Sequence, residues 1–145
     1  MIDQLKEMVL SRSKPIIGLC LGMQLFAERG LEHGVEPGLA WIEGEVVALR
    51  SPPEGPTVRL PHIGWNDVRP VGDSILLRGI EDPLFYFVHG YQLRPKAKEI
   101  VRGICGYGED FVAVIERGNI FGTQFHPEKS HDNGLRVLKN FLELA

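Results

Sequence analysis

Cysteine is scarce: the 145 residues hold only two, Cys20 and Cys105, too far apart for a CxxC motif or a Cys/His zinc spacing. An excess of basic charge is missing as well. The 16 Lys and Arg stand against 19 Asp and Glu, a formal charge of −3, so nothing argues for a nucleic-acid partner. The longest mainly apolar stretch, Pro15 to Met23, contains two glycines and falls far short of the ~20 residues a membrane helix needs. The opening Met-Ile-Asp-Gln-Leu-Lys-Glu mixes charges among its apolar residues, unlike a secretory leader, so a cytoplasmic protein without a disulfide framework is expected. What is present is a 43% hydrophobic and 24% charged composition, enough to build the core of one globular domain.

Hydrophobic spacing divides the chain into elements. Ile2, Leu5, Met8 and Val9 recur at helical spacing, which predicts an amphipathic helix from Ile2 to Ser13, ended by Lys14-Pro15. Pro15 to Leu19 reads as a short strand buried on both faces, as in parallel sheets, and Met23 to Arg29 as a helix stopped by Gly30. The segment from Leu31 to Ala40 is a loop, a strand begins at Glu45 to Leu49, and Ser51 to Pro56 is a breaker cluster. Further strands are predicted at Val58 to Leu60, Asn66 to Arg69, Phe85 to Val88, Ile100 to Cys105, Phe111 to Ile115 and Ile120 to Phe125. Arg117-Gly118-Asn119 is a hairpin turn between the last two. Leu135, Leu138, Phe141 and Leu142 define a closing helix from Asn133 to Leu144. These elements predict an α/β fold with an antiparallel section, in which the first strand has no parallel neighbour ahead of it in the chain.

Gly18-Leu19-Cys20-Leu21-Gly22 sits between the buried strand and the helix that follows. Glycines on both sides of a nucleophile let the backbone turn sharply and lift the side chain to the helix start. The helix N-terminus is expected to lower the thiol pKa there, and the Leu21 N–H to face an oxyanion beside the sulfur. Free cysteines are mostly buried and inert, and Cys105, in an apolar strand, fits that description. A cysteine nucleophile needs a base with an orienting partner. His126, at the end of a strand and stiffened by Pro127, is the best placed histidine, with Glu128 two residues on to fix its tautomer. His33 and His131 lie in polar loops.

Gly18-Leu-Cys20-Leu-Gly22-Met-Gln24 and Phe125-His-Pro-Glu-Lys-Ser130 together resemble the class I glutamine amidotransferases. Pro61-His-Ile-Gly-Trp-Asn66, Tyr86-Phe-Val-His-Gly-Tyr91 and Asn119 to His126 are similar to segments of those members that pair with a (β/α)8-barrel cyclase. The resemblance implies a flavodoxin-like, mostly parallel sheet with an antiparallel section. It implies Cys20 as nucleophile, His126 as base and Glu128 as orienting partner. Leu21, Gln24 and the backbone around Gly90 and Tyr91 would hold glutamine, while Trp65, Asn66 and Lys129 would face the cyclase. Trp65 as core, Asn66 as a turn residue and Lys129 as a solvated charge are equally open. His62 and His89 fall in matching motifs without a role. Gly90 replaces the serine common in that motif.

The implied reaction is hydrolysis of glutamine to glutamate and ammonia, without metal or organic cofactor, the ammonia passing to the cyclase in a heterodimer. A non-catalytic cyclase-binding chain, or a glutaminase serving another synthase, is the alternative. Family members carry a further strand, helix and strand, with a glycine-rich loop, ahead of the region matched here, so an N-terminally truncated single domain is the expectation.

Overall fold

The computed structural model describes residues 1–144. Among these residues ten strands form two sheets. The larger contains β1 (Ile16–Leu19), β5 (His62–Pro70), β6 (Leu84–His89), β8 (Val101–Tyr107), β9 (Glu109–Arg117) and β10 (Ile120–Thr123), ordered β1-β10-β9-β8-β5-β6. The smaller contains β2 (Ala27–Gly30), β3 (Glu36–Pro37), β4 (Ile42–Ala48) and β7 (Tyr91–Pro95), ordered β3-β2-β4-β7. Three α-helices accompany them: α1 (Ile2–Lys6), α2 (Leu21–Gln24) and α3 (His131–Leu142).

The class-I architecture expected from the motifs is present, but the sheets are mixed rather than mostly parallel. Among the described residues only β1 with β10 and β2 with β4 run parallel; the other six strand pairs are antiparallel. The parallel neighbour that β1 lacked ahead of it comes from behind: β10, reached through the Gly118-Asn119 turn, pairs Ile16 with Ile120 and Leu19 with Thr123. Gly118 has φ 58°, which the hairpin turn requires and glycine adopts without strain.

Several local expectations change in the tertiary setting. The opening helix runs to Ser11, its second half a π-turn over Glu7–Ser11, and of the predicted apolar face only Val9 is buried. Ile2, Leu5 and Met8 stay exposed because the helix is pinned instead through Asn119, whose Nδ2 donates to the carbonyls of Val9 and Lys14, both at 2.8 Å. β1 is half-buried rather than buried throughout, since it is the edge strand of its sheet. The helix expected over Met23 to Arg29 stops at Gln24. Ala27 to Gly30 become a strand because β3 and β4 flank them and satisfy their backbone. Val58 to Leu60 find no such partner and form no strand, whereas Tyr91–Pro95, unassigned from sequence, pairs with β4.

On α3 the buried face is Gly134, Val137 and Asn140, so Leu135 and Leu142 point outward. Asn140 explains the rotation: its Nδ2 donates to the carbonyls of Leu76 at 2.9 Å and Arg78 at 2.8 Å, satisfying otherwise buried groups. The main core lies between α3 and the large sheet, where Phe85 stacks on Phe125 with ring centroids 3.8 Å apart. A second core, with Trp41, Ile42, Met23 and Ile115, joins the smaller sheet to it. The site described next stands where the two meet.

Candidate active site

Cys20 occupies the corner between β1 and α2 with φ 50° and ψ −106°, a conformation that a side-chain-bearing residue adopts only when its surroundings impose it. The imposition is visible. Its N–H donates to Thr123 O on β10 at 2.7 Å, and Gly18 is pressed against the following turn, where a Cβ would lie 2.6 Å from the Gly22 backbone. Of the two flanking glycines only Gly18 is sterically required, because a Cβ at Gly22 meets nothing within 4 Å.

The thiol donates to Val88 O and accepts from Gln124 Nε2, each at 3.6 Å. Its pKa is raised, contrary to the expectation from the helix terminus. Burial is the largest cause and Glu128 adds to it, while the Leu21 N–H, Gln124 and Lys129 pull the other way without prevailing. A four-residue helix supplies too little dipole to reverse that balance. Cys105, wholly buried, is pushed up to about 12 by the same desolvation.

His126 follows β10 and is held at three points. Its N–H donates to Tyr86 O at 3.0 Å, its carbonyl accepts from Ser130 Oγ at 2.7 Å, and its Nδ1 lies 2.6 Å from Glu128 Oε1. That last contact engages Nδ1 and fixes which ring nitrogen faces Glu128. Among the described residues no hydrogen bond joins His126 to Cys20; their shared position is the adjacent ends of two parallel strands.

Gln24 lies beside the thiol. Its Nε2 donates to Tyr91 O at 3.0 Å and to Gln124 Oε1 at 3.1 Å. Gly90 O accepts from Leu49 N–H at 2.9 Å, and a Cβ at Gly90 would make only ordinary contact with Pro61, so nothing there demands glycine. A cavity of about 170 Å³ adjoins the elbow, lined by Leu21 and Gln24 together with the carboxylate residues Glu32 and Glu36. Trp65 is 44% exposed on β5 and stacks on His131 at 5.2 Å, while Lys129 is exposed beside Glu128. Asn66 instead turns inward: its Nδ2 donates to Gly106 O at 3.0 Å and reaches His62 Nε2 at 3.3 Å.

Sequence reasoning passed over Gln124 and Ser130. Gln124 is fully buried, 0% exposed, and its signal was a polar residue inside the apolar run Ile120 to Phe125. Ser130 ties β6 to the histidine turn by also accepting from Tyr86 N–H at 3.0 Å. His62 and His89 form a buried pair, His62 Nδ1 to His89 Nε2 at 2.9 Å, with the rings 2% and 6% exposed.

Desolvation, helped by the charge of His89 on His62 and of His126 on His89, lowers both pKa values to about 4. The unfolded chain takes up these protons near pH 6.5 and the folded one does not, so stability is full above that pH and declines as pH falls toward 4. By pH 5 the loss is expected to reach about 2 kcal/mol for either ring. Urea titrations at pH 7 and pH 5 check this, and equal midpoints would show the pair is not held neutral.

Cys20 at a tight strand-to-helix corner, near a His–Glu pair beyond the neighbouring strand end, is a geometry that thiol-dependent acyl transfer could use. The chain belongs to the class-I glutamine amidotransferases, whose family description, "Glutamine amidotransferase class-I", matches residues 2–145. Imidazole glycerol phosphate synthase subunit HisH 1 of Campylobacter jejuni (strain RM1221) is 48% identical over 144 residues, covering 99% of this chain and 70% of that protein. The subunit HisH 2 of Pseudomonas aeruginosa is 43% identical over 146 residues, with 100% and 70% covered. Among solved structures, a glutamine amidotransferase shares the fold at TM-score 0.69 and 21% identity over 99% of this chain and 67% of its own. Another from Thermotoga maritima does so at 0.61 and 22%, over 97% and 50%.

Proposed function

We propose that this chain is the glutaminase subunit of an imidazole glycerol phosphate synthase. The observation that carries the proposal is Cys20, strained at the end of β1 beside the His126–Glu128 pair, in a chain 48% identical to a HisH subunit. Cys20 Sγ attacks the side-chain amide carbon of glutamine, His126 takes the thiol proton and delivers it to the departing ammonia, and Glu128 stabilises the imidazolium. Water then cleaves the γ-glutamyl thioester to glutamate. The Leu21 N–H, already directed at the sulfur, is placed to stabilise the oxyanion. Glutamine bound this way leaves its α-ammonium group in need of an anion. The cavity beside Gln24 offers Glu32 and Glu36.

At rest the thiol is protonated and its proton points at Val88 O, so attack requires it to turn toward His126. The ammonia is then used by a (β/α)8-barrel cyclase, which forms imidazole glycerol phosphate and aminoimidazole carboxamide ribotide. A cytoplasmic heterodimer accords with this biosynthetic role, and among the described residues no helix is long and apolar enough to cross a membrane. The raised thiol pKa and the missing Cys20–His126 bond favour one rival, a chain that binds the cyclase without hydrolysing glutamine.

Ammonia release from glutamine in the presence of the cyclase separates the two readings. Trp65, 44% exposed and stacked on His131, is the proposed contact for the cyclase. Trp65→Ala is expected to weaken association by about 2 kcal/mol, as for a central aromatic at an interface, while leaving the melting temperature of the isolated chain nearly unchanged. Undiminished association would remove Trp65 from the interface.

A further inference from the structure

His62 and His89 have no part in the reaction as written, yet they are built into the site. His89 Nδ1 lies 2.8 Å from Tyr91 O, and a carbonyl oxygen only accepts, so Nδ1 carries the proton. The neutral ring then has Nε2 as an acceptor, which makes His62 Nδ1 the donor across their 2.9 Å contact. His62 Nε2 is left to accept from Asn66 Nδ2 at 3.3 Å. One carbonyl thus sets the direction of the whole line. The rings of Phe87, Phe111 and Tyr107 pack around the pair, His62 and Tyr107 stacking at 4.0 Å, and close it to water.

The line continues beyond the carbonyl. Tyr91 O also receives Gln24 Nε2, and the same nitrogen donates to Gln124 Oε1. Holding that oxygen decides which end of the Gln124 amide faces the sulfur: the NH2 end, which stabilises a thiolate. Tyr91 opens β7, where pairing with β4 and the Leu49 N–H bond to Gly90 O hold the backbone, and the ring's bond two residues ahead adds a restraint on the carbonyl itself.

We propose that His62 and His89 are positioning residues of the thiol site: their directed hydrogen bonds pin the Tyr91 carbonyl, which anchors Gln24 and through it orients Gln124 toward Cys20 Sγ. The proposal rests on the reading of Cys20 as the nucleophile. Its consequence is that thiol reactivity responds to a donor at position 89, not to bulk there.

Asparagine and leucine are nearly the same size, but only asparagine can present an N–H where His89 Nδ1 stands. The test compares the full chain with His89→Asn and His89→Leu, following alkylation of Cys20 by iodoacetamide against pH, with the modified residue assigned by mass spectrometry. His89→Asn is expected to keep the original profile. His89→Leu is expected to shift it upward and slow alkylation at neutral pH about ten- to a hundredfold, the worth of one hydrogen bond to the charged sulfur. Equal profiles for the two variants overturn the proposal.

Nitrogen chemical shifts of the histidine rings in the unaltered protein provide a second measurement that depends on no variant folding. Both rings are expected in the Nδ1–H form, and an Nε2–H form in either breaks the line. The glutaminase reading fails separately. If glutamine is not hydrolysed but the alkylation contrast holds, the positioning role stands without that activity; if glutamine is hydrolysed and the contrast is absent, only the positioning role falls.

Discussion

Cys20→Ala is expected to lower ammonia release from glutamine by on the order of 10⁶-fold, the loss typical when the nucleophile of a triad is removed. His126→Ala should fall to a similar floor, because without a base the thiol, whose pKa burial has raised, stays protonated and unreactive at neutral pH. The double variant is expected to lose little more than either single one, since the two residues act as a unit. Glu128→Gln should cost less, about 10²–10⁴-fold: its carboxylate orients the ring from an exposed position 2.6 Å away, and glutamine can retain part of that contact. The measurement is steady-state ammonia production with the cyclase present. Additive losses in the double variant would mean that Cys20 and His126 do not share a mechanism, and the strand-end arrangement of the site would need another explanation.

Gly134→Ala is expected to destabilise the fold by about 3 kcal/mol, more than the ~1 kcal/mol that alanine gains over glycine in a helix. A Cβ at Gly134 would collide with the carbonyl oxygen of Pro127 and come within 2.7 Å of its carbonyl carbon, all of it backbone that cannot swing aside. The collision lies behind the turn that carries His126 and Glu128. Loss of stability should therefore be accompanied by loss of activity even under conditions where the variant remains folded. Gly22→Ala is the comparison: its Cβ meets nothing within 4 Å, and its stability should stay within about 0.5 kcal/mol of the parent. Urea midpoints for the two variants check the contrast, and equal midpoints would show that α3 can shift off the Pro127 turn without penalty.

The elbow around Cys20, the His126–Glu128 contact and the Gly118 hairpin were legible in the sequence because each depends on residues a few positions apart. Glycine spacing, strand alternation and turn chemistry act at that range, and they determined the class of fold and the candidate nucleophile with its base. Questions about distant partners were decided by the tertiary structure. Ala27 to Gly30 have a helical pattern but lie between β3 and β4, and the hydrogen bonds of that sheet outweigh the local preference. The sign of the thiol shift is of the same kind, since it depends on how deeply β6 and β10 bury Cys20. So is the line from Asn66 to Gln124, which runs through three strands and one short helix to the residue after β10 and has no trace in any local window. Local sequence determines what a segment can form; burial and pairing are properties of the assembled chain, and they settled which of those forms was kept and how the thiol is tuned.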